Sequence, residues 1–188
     1  MKTLEIIRKA EAFAEAAHEG QMRKGPSNAP YITHPLAVAD ILKVHGATTE
    51  AILGGLLHDV VEDTDITLEE IADGFGKGVA TLVDYVTEPD HDIRPWKQRK
   101  KDYLARIANA PYDAVLIASA DKLHNLRDTL RDYKLHGNEI WSMFNSQKDT
   151  QFWYYESLIK IFRERDIPPL IIAEMTESLH QIHGRFEK

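Results

Sequence analysis

Apolar side chains recur along this chain with a period near 3.6 residues, in runs separated by proline, glycine and capping residues. Over residues 4–19, Ile6, Ile7, Ala10, Phe13, Ala14 and Ala17 share one helical face, with Thr3 placed to cap it. Pro35 opens a second helix on Leu36, Ala39 and Leu42, and Gly46 stops it. A third is predicted from about residue 49 to residue 61, where Gly54 and Gly55 would admit a close neighbour. Thr67-Leu-Glu-Glu70 forms a capping box for a fourth, and residues 77–86 make a fifth. Residues 88–96, with Pro89 and Pro95, read as a loop before a basic helix to about Asn109. Pro111 and Asp113 announce a long helix through Leu135 that Gly137 ends. Residues 147–164 form another, Pro168-Pro169 interrupts, and a last helix reaches about His183. With no β-alternating run, repeat or linker, the pattern predicts a single all-α domain over residues 1–188, a compact helical bundle.

Composition narrows the classes of function. In 188 residues, 43% hydrophobic content suffices for a core without staples. The absence of cysteine excludes disulfides, thiolate metal sites and a cysteine nucleophile, and fits a reducing compartment. A formal charge of −7 argues against a nucleic-acid partner but not against a small anion, because local fields matter more than the sum. Basic residues cluster at Arg23-Lys24, Arg94, Lys97, Arg99-Lys100-Lys101, Lys122, Arg127 and Arg131. The first ten residues are charged and amphipathic, without the apolar core of a signal peptide. No apolar run approaches the roughly 20 residues that a membrane span needs. The expectation is a soluble, cytoplasmic protein with no membrane partner.

Within Leu56-Leu-His-Asp-Val-Val-Glu-Asp-Thr64, His58 and Asp59 set an imidazole beside a carboxylate. Glu62 and Asp63 follow one helical turn later, so each would stand beside one member of the pair. His34 lies at a loop-to-helix junction, and Asp121 follows the apolar stretch Val115-Leu-Ile-Ala-Ser-Ala120. An aspartate there is costly to bury unless it is paired or metal-bound. His34, His58, Asp59 and Asp121 supply two nitrogen and two oxygen donors, a set that suits manganese, iron or zinc better than calcium. Asn125 shares the Asp121 face, and His124 could stand behind the ligands.

His34…His58-Asp59…Asp121 resembles the HD superfamily of metal-dependent phosphohydrolases. The longer strings Gly20-Gln-Met-Arg-Lys24, Tyr31-Ile-Thr-His-Pro35, Leu57-His-Asp-Val-Val-Glu-Asp-Thr64 and Asp121-Lys-Leu-His-Asn-Leu-Arg127 are similar to the hydrolase domain of RelA/SpoT-type alarmone enzymes. The matching motifs run from about residue 18 to residue 131, and the helices over about 147–183 would complete the bundle. The chain has no room for the synthetase domain of those enzymes, so it resembles a stand-alone small alarmone hydrolase.

The resemblance implies one manganese ion per chain, held by His34, His58, Asp59 and Asp121, with Glu62 and Asp63 positioning or deprotonating the attacking water. It implies release of the 3′-pyrophosphate of guanosine 3′,5′-bis(diphosphate), ppGpp, or of the pentaphosphate, giving GDP or GTP. Arg23 and Lys24 would flank the purine and Asn125 would face the ribose near its 3′ oxygen. Lys97, Arg99, Lys100, Lys101, Lys122 and Arg127 are candidates for the distal phosphates. The segment between Lys24 and Tyr31 is about two residues longer than is usual in the family, and it abuts the expected base pocket. Adenosine 3′-diphosphates, the 2′-phosphate of NADPH and 5′-nucleotides are the alternative substrates, and a metal-stabilised nucleotide sensor is the non-enzyme alternative. A second metal would need further histidines between Asp59 and Asp121, where only His91 occurs. Trp141, Phe144, Phe152, Trp153, Tyr154 and Tyr155 read as core or as the interface of a homodimer, with Tyr154 or Tyr155 able to reach the pocket mouth.

Overall fold

The computed structural model describes residues 2–26, 28–88, 94–143 and 148–183. His91 and Phe144 lie outside them. Helix α1 (Lys2–Ala17) starts before the expected Thr3 cap, so Thr3 is its second residue. Helix α2 (Thr33–Val44) likewise begins two residues ahead of Pro35, whose missing N–H falls within the first turn, where no intrahelical partner exists. It ends before Gly46, which takes a left-handed φ of 69°.

The expected third helix is two pieces, α3 (Thr49–Leu57) and the single turn α4 (Val60–Asp63). In an unbroken helix the Gly55 carbonyl would receive the N–H of residue 59; here it accepts Nδ1–H of His58 at 2.8 Å. Thr48 caps α3 by accepting the Ala51 N–H, and its hydroxyl donates to Asp113 at 2.6 Å.

Helix α5 (Leu68–Phe75) opens on the Thr67–Glu70 capping box, and α6 (Lys77–Val86) follows. Helix α7 (Trp96–Ala108) leads to α8 (Tyr112–His136), which Gly137 closes at φ 59°. A 3₁₀ segment over Gly137–Met143, which periodicity did not anticipate, leads toward α9 (Lys148–Glu164) and α10 (Pro169–His183). Among the described residues there is no strand, only an isolated antiparallel bridge between Met22 and Pro30.

Helix α8 is the axis of the fold. Every residue from Ala114 to Asp121 is buried, and α2, α3, α6 and α10 pack around it. Gly54 and Gly55 explain how closely α3 is held: a Cβ on Gly54 would meet Ile117 of α8 at 2.7 Å, and one on Gly55 would overlap Leu42 of α2. One hydrophobic core runs from Ile7 to Ile182 and takes in Phe152 and Tyr154, so much of the aromatic cluster is interior rather than available to a second copy. No helix among the described residues is long and apolar enough to cross a membrane.

Candidate metal centre

His34, the second residue of α2, is swung inward by the turn in which Thr33 and His34 donate their N–H groups to the Pro30 and Tyr31 carbonyls. The α3–α4 junction delivers His58 and Asp59, and the middle of α8 delivers Asp121. Nε2 of His34 lies 3.1 Å from Nε2 of His58, 3.5 Å from Asp59 Oδ2 and 3.3 Å from Asp121 Oδ1. His58 Nε2 is 3.2 Å from Asp59 Oδ2 and 3.8 Å from Asp121 Oδ1. His34, His58 and Asp121 are buried, and the three form a group whose ligand atoms all lie within 4.8 Å of one another.

The donor chemistry fits a cation. Because a carbonyl only accepts, His58 must carry its proton on Nδ1, which leaves the Nε2 lone pair pointing at His34. His34 Nδ1 stands 2.8 Å from His124 Nδ1, so a proton there also frees the His34 Nε2 lone pair. Two lone pairs and an Asp121 oxygen thus converge, and Asp59, outside that group of three, sets Oδ2 beside both imidazoles. The titrations show what a cation would replace: the carboxylates favour a proton on His58 Nε2, the position an ion would take. Burial pulls both imidazoles toward neutrality and prevails at His34, whereas the Asp59 and Asp121 carboxylates overcome it and hold His58 up at about 9. Burial alone would raise both carboxylates, but His58 and His34 hold Asp59 ionised, and Lys122 with the same histidines does so for Asp121.

The acidic pair parts company once α4 restarts. Glu62 accepts the Glu88 N–H at 3.1 Å, and burial together with the Asp59 charge raises its pKa. Asp63 turns to Tyr31, whose hydroxyl lies 2.7 Å from Asp63 Oδ2 and 2.7 Å from Asp59 Oδ2. Burial and these two carboxylates keep that phenol protonated. A phenol has one proton, so it donates to one oxygen at a time and couples the two acids.

Along α8, Asp121 Oδ1 accepts from Asn125 at 2.6 Å and Oδ2 from Lys122 at 2.6 Å. Asn125 Oδ1 in turn accepts Arg23 Nη2 at 2.7 Å, which also reaches Asp128 at 3.3 Å. The Arg23 guanidinium sits 5.4 Å from the Tyr31 ring centre. A cleft of about 610 Å³ opens over the centre, and its walls bring together His34, Asp59, Glu62, Asp63, Asp121, Asn125, Arg23, Lys24 and Lys122. That volume suits a nucleotide.

Three of the expected phosphate binders stand elsewhere. Arg127 is clamped to Glu174 of α10 at 2.6 and 2.7 Å. Lys97 lies over Trp153 at 5.7 Å, and Lys101 is exposed; neither lines the cleft. Helix α7 instead presents Trp96, Arg99, Lys100 and Tyr103, at positions i, i+3, i+4 and i+7, to the cleft. Arg99 and Lys100 both donate to the buried Glu88. Glu88, Tyr31 and Tyr103 had no assigned role in the sequence reading. The spacing from Trp96 was the available signal for Tyr103, and the Tyr31-to-His34 motif for Tyr31. Of the adjacent tyrosines, Tyr155 lines the cleft, whereas Tyr154 is buried behind it.

An all-α bundle with paired imidazoles and carboxylates closing on one point, beneath a nucleotide-sized cleft, defines a hydrolase class that works with a divalent metal. The chain belongs to the HD domain family, which it matches over residues 10–150. It is 44% identical over 128 residues to guanosine-3′,5′-bis(diphosphate) 3′-pyrophosphohydrolase MESH1 of Xenopus tropicalis, covering 67% of this chain and 70% of the relative. With the mouse protein of that name it shares 42% identity over 169 residues, 84% of this chain and 93% of the relative. A solved structure described as a metazoan ortholog of SpoT that hydrolyzes ppGpp and plays a role in starvation responses superimposes with a TM-score of 0.79. The two are 27% identical, and the match covers 95% of this chain and 96% of the other.

Proposed function

We propose that this chain is a manganese-dependent hydrolase of guanosine 3′,5′-bis(diphosphate), removing the 3′-diphosphate as pyrophosphate and leaving GDP. The observation that carries the reading is the Arg23–Asn125–Asp121 chain of hydrogen bonds, which joins a cationic nucleoside wall to the metal centre in one cleft. The kinship with MESH1 and with the SpoT ortholog supports the same substrate.

His34, His58, Asp59 and Asp121 would hold the cation, and one hydrolase domain would span residues 1–188. When bound, the ion offsets the charge of the phosphoryl oxygens and acidifies water. The rest falls to side chains. Glu62, whose pKa is raised by burial and by Asp59, accepts a proton from the attacking water, and Asp63, fixed by Tyr31, orients it. The water oxygen bonds to the phosphorus attached to the ribose 3′ oxygen. That P–O bond breaks, and the 3′ oxygen takes up a proton to become a hydroxyl. The phosphorus and the new oxygen leave within pyrophosphate. Asn125 uses one amide N–H on Asp121 and has a second to offer the 3′ oxygen. Arg23 and Lys24 flank the base, where a guanidinium plane stacks well.

The test is a product assay on pure, manganese-loaded protein with ppGpp, its adenine counterpart and NADPH, reading pyrophosphate and orthophosphate separately. Pyrophosphate from ppGpp is the expected product. Orthophosphate alone would make the protein a phosphomonoesterase, and nucleotide binding without turnover would make it a sensor.

A further inference from the structure

The cleft has a second wall that the nucleoside does not need. Tyr103 is only 2% exposed, lines the cleft, and its hydroxyl has no hydrogen-bond partner among the described residues. A buried hydroxyl left unpaired is unfavourable, so its persistence points to a ligand. Two ammonium groups share this wall. Lys122 Nζ lies 5.3 Å from the Tyr103 ring centre, and Lys100 Nζ lies 5.1 Å from Tyr154 and 5.7 Å from Trp96. Lys122 donates to Asp121 and Lys100 to Glu88, which leaves each with further N–H groups to offer. Arg99 also rests on Glu88, so this wall carries three cations, against the carboxylates of Glu88 and Glu62.

The position selects the ligand. Lys122 holds Oδ2 of Asp121 at 2.6 Å, while Oδ1 of the same carboxylate faces His34 Nε2 at 3.3 Å. The ammonium is therefore one carboxylate's width from the metal centre, on the oxygen that the Asn125–Arg23 chain does not use. A phosphate held at the centre would have its next phosphate neighbour against Lys122, Lys100 and Tyr103.

Resting on the 3′-diphosphate reading above, we infer that Lys100, Lys122 and Tyr103 form the seat of the terminal phosphate. The Tyr103 hydroxyl is then the specificity-determining donor that favours a diphosphate over a monophosphate. The substrate lies across the centre with its base toward Arg23 and its diphosphate toward α7.

The experiment is calorimetric titration of the manganese-loaded protein with inorganic pyrophosphate and, separately, orthophosphate, at fixed free manganese. Tyr103→Phe should weaken pyrophosphate about tenfold and orthophosphate by no more than about twofold, as loss of one charge-assisted hydrogen bond requires. Lys100→Met should do the same. Because the hydroxyl is unpaired, Tyr103→Phe should melt no lower than wild type. Unchanged pyrophosphate affinity in both variants overturns the seat, as does an equal loss for both anions or a lowered melting temperature in Tyr103→Phe. The two readings separate cleanly. Wild-type protein that releases pyrophosphate from ppGpp while Tyr103→Phe and Lys100→Met bind pyrophosphate normally retains the function and loses the seat. Protein that leaves ppGpp intact but needs Tyr103 for pyrophosphate retains the seat and loses the nucleotide.

Discussion

The Nε2 atoms of His34 and His58 stand 3.1 Å apart. At that distance they must either share a proton or both face a cation. The pair is contributed by α2 and by the α3–α4 junction, so an ion placed there binds the folded chain and not the unfolded one. At a hundredfold excess over its dissociation constant a ligand of this kind stabilises by about 2.7 kcal/mol. For a chain of this size, chelation is then expected to lower the melting temperature by roughly 5–10 °C. Asp121→Ala should abolish the difference between chelated and metal-loaded samples in a thermal melt.

In the proposed mechanism Glu62 handles the proton and takes no part in holding the metal. Glu62→Gln keeps the shape and removes the base, so kcat should fall roughly 10²–10⁴-fold while manganese affinity by calorimetry stays unchanged. The sign of the pH effect follows from burial and Asp59, which raise this carboxyl. The base acts deprotonated, so turnover rises with pH through a pKa above the ordinary glutamate value of about 4.3. A kcat/KM profile should show that acid limb in wild type and lose it in Glu62→Gln.

Tyr31 carries the single proton between Asp59 and Asp63. Tyr31→Phe leaves both acids without their donor and free to turn. Groups that orient a metal ligand typically contribute 10–100-fold to affinity, and a loss of about that size is expected in a manganese titration. Retained affinity would show that the packing around Asp59 fixes it without the phenol.

Arg127 and Gly55 test the scaffold apart from the chemistry. The Arg127–Glu174 pair is half-exposed, so Arg127→Ala should cost no more than about 1 kcal/mol and leave kcat/KM unchanged. Gly55→Ala drives a methyl into Leu42 and Val38, and a loss of about 1–3 kcal/mol in denaturant unfolding is expected.

The helices were legible because their apolar faces keep the 3.6-residue period and their ends carry Thr67, Gly46 and Gly137. The donors stood out for a related reason: Asp121 ends a run in which Ser119 is the one polar residue, and His58-Asp59 is a polar pair inside an apolar stretch. What periodicity could not supply was the rotation of α7 about its own axis. Trp96-Lys-Gln-Arg-Lys-Lys101 is polar nearly all round, so within it only the spacing from Trp96 to Tyr103 distinguishes the Arg99–Lys100 side from the Lys97–Lys101 side. The break after Leu57 was hidden as well, because it depends on a side chain, His58, competing for a backbone carbonyl. Arg127 was misplaced although helical geometry bears on it. Six residues beyond Asp121 lies roughly 120° around the helix.

The interruption between α3 and α4 carries a constraint on how this protein can vary. Asp59 and Glu62, the proposed ligand and base, are separated by only two residues, Val60 and Val61, within a single turn whose start is pinned at His58. Adding or deleting one residue there would swing Glu62 by about 100° relative to Asp59, sending the base out of reach while the ion stayed in place. Indel variants confined to this turn should therefore behave as metal-loaded, folded and silent proteins.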